Sequence, residues 1–139
     1  MIKKIIKSND SLPIGLDVIR VISGVIIFSF GLEIFDSAQI AGYTEWLTDV
    51  HMPLPKVMAY VGKLSELIFG LCLAIGFLTR LSTVPLMITM CVINFVMLDG
   101  SLRTEPFYLL LIFASFFFVG SGSISLDSFI YKRKTSINH

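Results

Sequence analysis

Charge is scarce in this sequence. Of its 139 residues only 15% are Asp, Glu, Lys or Arg, against roughly 25% in a soluble globular domain. The charges that exist fall mostly between long apolar runs, and 55% of the chain is hydrophobic, with a mean hydropathy of +0.83. That balance excludes an ordinary soluble domain and fits an integral membrane protein. Histidine is nearly absent: His51 lies in a connecting segment and His139 ends the chain, so a haem between helices would have no axial histidine. Cys72 and Cys91 are the only cysteines. They form neither a CxxC nor a spaced framework, which excludes a thioredoxin-like motif and a disulfide scaffold and leaves two small apolar side chains. No His/Cys/carboxylate cluster has metal-ligand spacing, so no metal is expected. There is no glycine-rich phosphate loop, no legible set of catalytic side chains, and no basic patch interleaved with aromatics. The net charge of +1 gives no reason to expect nucleic acid as a partner.

The long apolar runs remain. A helix needs roughly 20 apolar residues to cross the hydrocarbon core, and four segments qualify: about Ile14–Phe35, Val57–Thr79, Leu81–Leu98 and Pro106–Gly122. Pro13, Pro53–Pro55 and Pro106 stand at or near three of the four entries, where a missing N–H costs nothing. The N-terminus is basic and then apolar like a signal peptide, but the run from Ile14 is too long for one and no A-x-A-like site follows, so an uncleaved first span is expected. Lys3, Lys4 and Lys7, then Arg80, then Lys132, Arg133 and Lys134 fall on one side of four spans, with only Lys56 and Arg103 opposite. The positive-inside rule then makes both termini cytoplasmic in the inner (plasma) membrane. The expected fold is all-α: a transmembrane four-helix bundle in a single domain over residues 1–139. The first outer loop carries Tyr43 and Trp46 and reads as a segment lying at the membrane interface. In the terminal GSGSISLD, the glycines should stop the fourth helix, and Ser125 or Asp127 should cap a short helix on the inner surface.

Five charges fall inside the spans: Asp17, Arg20, Glu33, Lys63 and Glu66. A lone Asp, Lys or Arg near a helix centre costs about 2.5–3.5 kcal/mol on insertion scales, so such residues face the bundle interior and pair. Glu66 sits nearest the midplane. Arg20, Gly24 and Gly31 share one helical face, as do Gly62, Glu66 and Gly70 with Lys63 beside them. Small residues let membrane helices approach closely. Spans one and two should therefore pack along these faces, with Arg20, Lys63 and Glu66 in one buried charge network. Glu33 points away from Gly24 and is expected to lie outside it. Asp17 and Arg20 can also pair at i, i+3. Span three carries no charge, only Asn94, and Met87, Met90, Cys91 and Met97 near the same face read as packing material. Arg80 should bind the last carbonyls of span two and the headgroups.

In order and spacing these features resemble the DoxX family of small four-span membrane proteins. The matching elements are Arg20 with Gly24 and Gly31, the PLP entry at 53–55, Glu66 with Gly70, GFLTR at 76–80, Glu105 just before span four, and SLD at 125–127. They cover almost the whole chain. Two departures stand out: Glu33 where the family often has a basic residue, and GSGSISLD without the proline and arginine of the usual ending. The resemblance implies a group named for a subunit linked to a terminal quinol oxidase. Relatives are implicated in thiosulfate–quinone chemistry and in membrane complexes of redox or thiol-stress defence, and distant ones are cargo receptors without redox chemistry. The expected function is an accessory subunit of such a complex, with quinone as the candidate cofactor and other subunits, or a second copy of the chain, as partners. The alternative is a structural or interaction subunit whose charges serve assembly. A small transporter ranks behind both, because one charge-free span leaves little polar path.

Overall fold

The computed structural model describes residues 12–98, 100, 102–120 and 125–137. The N-terminal lysines and Gly122 of GSGS lie outside these residues, whereas Gly120 (φ 86°) ends the helix before it, as the sequence suggests. Among those described there are six α-helices and no strand: α1 (Leu12–Gly31), α2 (Ser37–Asp49), α3 (Pro55–Ile75), α4 (Thr79–Cys91), α5 (Glu105–Val119) and α6 (Leu126–Ile137). A 3-10 turn (Leu32–Phe35) continues α1, and a π-helical segment (Val92–Met97) continues α4.

Three stretches are long and apolar enough to cross a membrane: Ile14–Phe35, Pro55–Ile75 and Thr79–Val96. They coincide within a few residues with the first three expected spans. The helix at the fourth, α5, is apolar but only 15 residues long, or about 22 Å at the usual rise. Large apolar side chains cover the outside of the bundle, among them Ile22, Val25, Leu64, Ile68, Leu71 and Ile88, as lipid-facing surfaces require.

The interior depends on one close seam. Helices α1 and α3 run antiparallel and make the most extensive contact in the chain. A Cβ on Gly24 would overlap the backbone nitrogen of Ala74, and one on Gly31 the backbone nitrogen of Leu67. On the other helix, a Cβ on Gly70 would stand 2.7 Å from the nitrogen of Phe28. Dispersion between touching backbones replaces the hydrophobic effect that lipid cannot supply. Gly62 does not belong to this seam: nothing lies within 4 Å of its would-be Cβ. The seam stops one turn short because α1 ends at Gly31 and the chain turns away into α2.

Helix α2 begins with Asp36, whose carboxylate accepts from the Ala38 N–H at 2.9 Å, and it lies against α3 with Ile40 and Leu47 buried. At the other end of the bundle, Gly76 in the left-handed region (φ 73°) closes α3, and the Phe77 N–H returns to the Cys72 carbonyl at 2.8 Å. This tight turn makes α3 and α4 neighbours. A core of Ile27, Leu73, Leu86, Met90, Phe113 and Phe116 fills the space toward that end.

Asp127 caps a different helix from its own. Its carboxylate accepts from the N–H groups of Leu78 and Thr79, at 2.8 and 3.0 Å, and so caps α4. Its own N–H donates to the Gly76 carbonyl at 3.0 Å, while Ser125 Oγ accepts from Ser128 at the start of α6. The GFLTR and SLD segments are thus one latch. Arg80, too, departs from expectation: its guanidinium reaches to 3.5 Å from the Phe118 carbonyl, in the last turn of α5 rather than of α3, because α4 has already begun at Thr79.

Gly31→Val should open the seam and lower stability by about 1–3 kcal/mol, the usual cost of overpacking. Gly62→Ala should leave it unchanged or slightly higher. Thermal melts of the two variants in one detergent check the contrast. Asp127→Ala should cost about 0.5–2 kcal/mol, as lost helix caps do.

Candidate functional site

The first half of α3 brings Lys63 and Glu66 onto its buried face, at i and i+3, and Lys63 Nζ donates to Glu66 Oε2 at 3.0 Å. This pair answers part of the cost of burying either charge. Their side chains are only 8% and 3% exposed.

Lys63 serves a second carboxylate. Its Nζ lies 2.9 Å from Glu33 Oε2, so Glu33 belongs to the site, contrary to expectation. A uniform helical wheel carried past Gly31 points it elsewhere; the tighter 3-10 turn at Leu32–Phe35 swings it back over α3. Tyr43 of α2 donates its hydroxyl to the same Glu33 oxygen at 2.8 Å, and its ring lies beneath the ammonium, 4.3 Å from Nζ to the centroid. The four side chains come from three elements, the 3-10 turn, α2 and α3. Burial and the bond to Glu33 hold the Tyr43 phenol above its ordinary value of 10.0.

Arg20 is placed apart from this network. It pairs with Asp17 at 3.2 Å and is 2% exposed, and its Nη1 stands 2.7 Å from where a Cβ on Gly76 would sit. The antiparallel seam sets Arg20 beside the α3–α4 turn, at the opposite end of the bundle from Glu33. The single network expected from the shared glycine face is therefore two: Asp17–Arg20 under the latch, and Glu33–Lys63–Glu66 with Tyr43 at the other end.

A cavity of about 380 Å³ opens beside the second network. Lys63 and Glu66 form its polar floor. Phe30, Tyr43, Trp46, Ala59 and Gly62 line one side, Met90, Val92 and Ile93 another, and Glu105, Pro106 and Leu109 stand at the start of α5. Gly62 thus borders open space rather than a helix. The cavity exists because the packed core lies toward the Gly76 end, while α3, α4 and α5 leave room between them at the other. The π segment widens α4 there, and within it the fully buried Asn94 accepts a hydrogen bond from Thr104 just before α5. Met90 belongs to the core, Met87 packs against it, and Cys91 is half-buried. Among the described residues no group of three His, Cys, Asp or Glu side chains could hold a metal. Sequence reasoning missed Glu33, Tyr43 as its donor, and the Thr104–Asn94 clasp. For Glu33 the available signal was an acid within one turn of the end of its helix, at a height that an antiparallel neighbour brings level with Lys63.

The DoxX family model matches residues 15–99 of the chain. A Bacillus subtilis (strain 168) protein named "Putative oxidoreductase CatD" is 31% identical over 134 residues, covering 94% of this chain and 97% of that protein. No solved structure matches. The chain belongs to the DoxX family of membrane proteins.

Lys63→Met leaves Glu33 and Glu66 without their shared cation and should destabilise by about 3–5 kcal/mol, the cost of breaking a buried pair; a detergent melt reads it. The Tyr43 phenol is favoured by the fold in its neutral form. Its contribution is therefore whole below pH about 10 and is lost as pH rises through its higher folded-state value. The melting temperature of the wild type should fall more steeply above that pH than that of Tyr43→Phe.

Proposed function

We propose that this protein is an accessory subunit of a quinone-linked membrane redox or thiol-stress complex, and that the cavity above Lys63 and Glu66 receives a quinone headgroup. The observation that carries this reading is the cavity: about 380 Å³ of mostly apolar wall with a charged floor. Pockets for small amphipathic ligands share that build, with volumes of about 300–1,000 Å³ and a few placed polar groups. Family membership and the word oxidoreductase in the relative's name support a redox setting. In this reading residues 1–139 form one domain of four spans in the inner membrane with both termini cytoplasmic. Arg80, Lys132, Arg133 and Lys134 then lie at the cytoplasmic face with the N-terminal lysines. The cavity then belongs to the outer half of the membrane, with α2 on the outer leaflet, and α5 spans with local thinning of the bilayer or help from a neighbour. That neighbour is another subunit of the complex or a second copy of the chain.

One observation favours the structural reading: Lys63 already has Glu33, Glu66 and the Tyr43 ring around it, which makes its burial tolerable without a ligand. Trp46, the only tryptophan, lines the cavity and separates the two readings. Under the quinone reading, a short-chain ubiquinone titrated into the protein in nanodiscs should quench Trp46 saturably, and Glu66→Leu should weaken binding at least tenfold, about 1.4 kcal/mol. No saturable quenching in the wild type would favour the structural reading, and equal affinity in a well-folded Glu66→Leu protein would count against Glu66 as the quinone's partner.

A further inference from the structure

The charges around the cavity do not balance. Lys63 is the single base in the buried network, and it faces two acids, Glu33 and Glu66. Among the described residues that line the cavity the other elements add no cation: α2 contributes the Tyr43 phenol, α4 and its π segment line the cavity with Ile88, Thr89, Met90, Val92 and Ile93, and α5 contributes another acid, Glu105. With every group ionised, a net negative charge would lie beside an apolar cavity, where desolvation costs several kcal/mol for each uncompensated ion.

The geometry distinguishes the two acids. Glu33 is 28% exposed at its side chain, accepts from both Lys63 and Tyr43, and is the better-hydrated and better-bonded anion. Glu66 is 3% exposed and, among the described residues, receives only the Lys63 bond, through Oε2. In a neutral carboxyl Oε2 would be the carbonyl oxygen, which still accepts from an ammonium, and Oε1 would carry the proton. We infer that Glu33 and Lys63 form the ion pair, and that Glu66 is held as a neutral acid whose O–H is the hydrogen-bond donor of the cavity. The Lys63 ammonium is engaged by two carboxyls and a ring face, so Glu66 is the floor group with a donor to offer. The complementary ligand group is an uncharged acceptor such as a ring carbonyl; this last step rests on the quinone reading, the protonation of Glu66 does not.

Dicyclohexylcarbodiimide, an apolar reagent, reports protonated carboxyls: the O–H adds across a C=N bond, oxygen to carbon and proton to nitrogen, with no leaving group. Protein in nanodiscs at neutral pH should be labelled at Glu66 and not at Glu33, as located by peptide mass spectrometry. Glu33→Gln should abolish the labelling, because Lys63 then has Glu66 as its sole counter-ion and keeps it ionised. Labelling of Glu33 instead, or of Glu66 only in acid, overturns the inference. Should Glu66 resist the reagent at every pH, infrared spectroscopy decides. A neutral-pH carboxylic-acid carbonyl band that shifts in D2O and is lost in Glu66→Gln supports the assignment, and no such band in the wild type refutes it. Protection from labelling by a short-chain ubiquinone addresses the ligand separately: labelling without protection would remove the quinone and leave the proton in place.

Discussion

A buried ammonium must be matched by the protein, and Lys63 sets that demand for the end of the bundle where α1 ends. Meeting it recruits groups from three elements: Glu66 one turn along α3, Glu33 from the 3-10 turn after α1, and the Tyr43 ring from α2. Each of those elements is where it is partly to serve this contact. The tightening of the chain after Gly31 brings Glu33 back over α3, and the packing of α2 against α3 places a phenol beside both. The free energy of insertion therefore explains local backbone geometry that helix propensity does not.

The two ends of the bundle are built to different purposes. Toward Gly76, the tight turn, the Asp127 cap on α4 and the apolar core leave little freedom, and Asp17–Arg20 is enclosed there. Toward Glu33, α3, α4 and α5 leave a cavity, and the charge network forms its floor. The glycine seam joins the ends: backbone contact at Gly24, Gly31 and Gly70 fixes the register of α1 on α3. It thereby decides that Arg20 meets the latch and Glu33 meets Lys63. A rigid end supporting an open, partly polar end suits a site that must keep its shape as a ligand arrives.

What could be read from the sequence followed local rules. Apolar run length located three spans, and glycine spacing located the seam, because helical periodicity holds through both. The Lys63–Glu66 pair was legible for the same reason. The rule failed where the helix stopped being regular. Extrapolating the wheel past Gly31 sent Glu33 the wrong way, and carrying the stripe to Gly62 added a glycine that borders the cavity instead. Arg20 shares a face with Gly24 and Gly31, but the height difference along α1 separates it from Glu66. Asp127 shows a different limit: its partners lie 48 and 49 residues away, and a cap on another helix leaves no mark in local sequence. The cavity was illegible too, since it follows from how α3, α4 and α5 diverge and from the π segment that widens α4.

The proposed function stands or falls on whether the cavity is occupied in the cell. Native mass spectrometry of the protein released gently from its own membrane tests this most directly. A quinone-binding subunit should carry a bound mass of quinone size on the wild-type chain that is absent from Glu66→Leu. Bare wild-type protein, under release conditions that retain a short-chain ubiquinone added beforehand as a control, would contradict it.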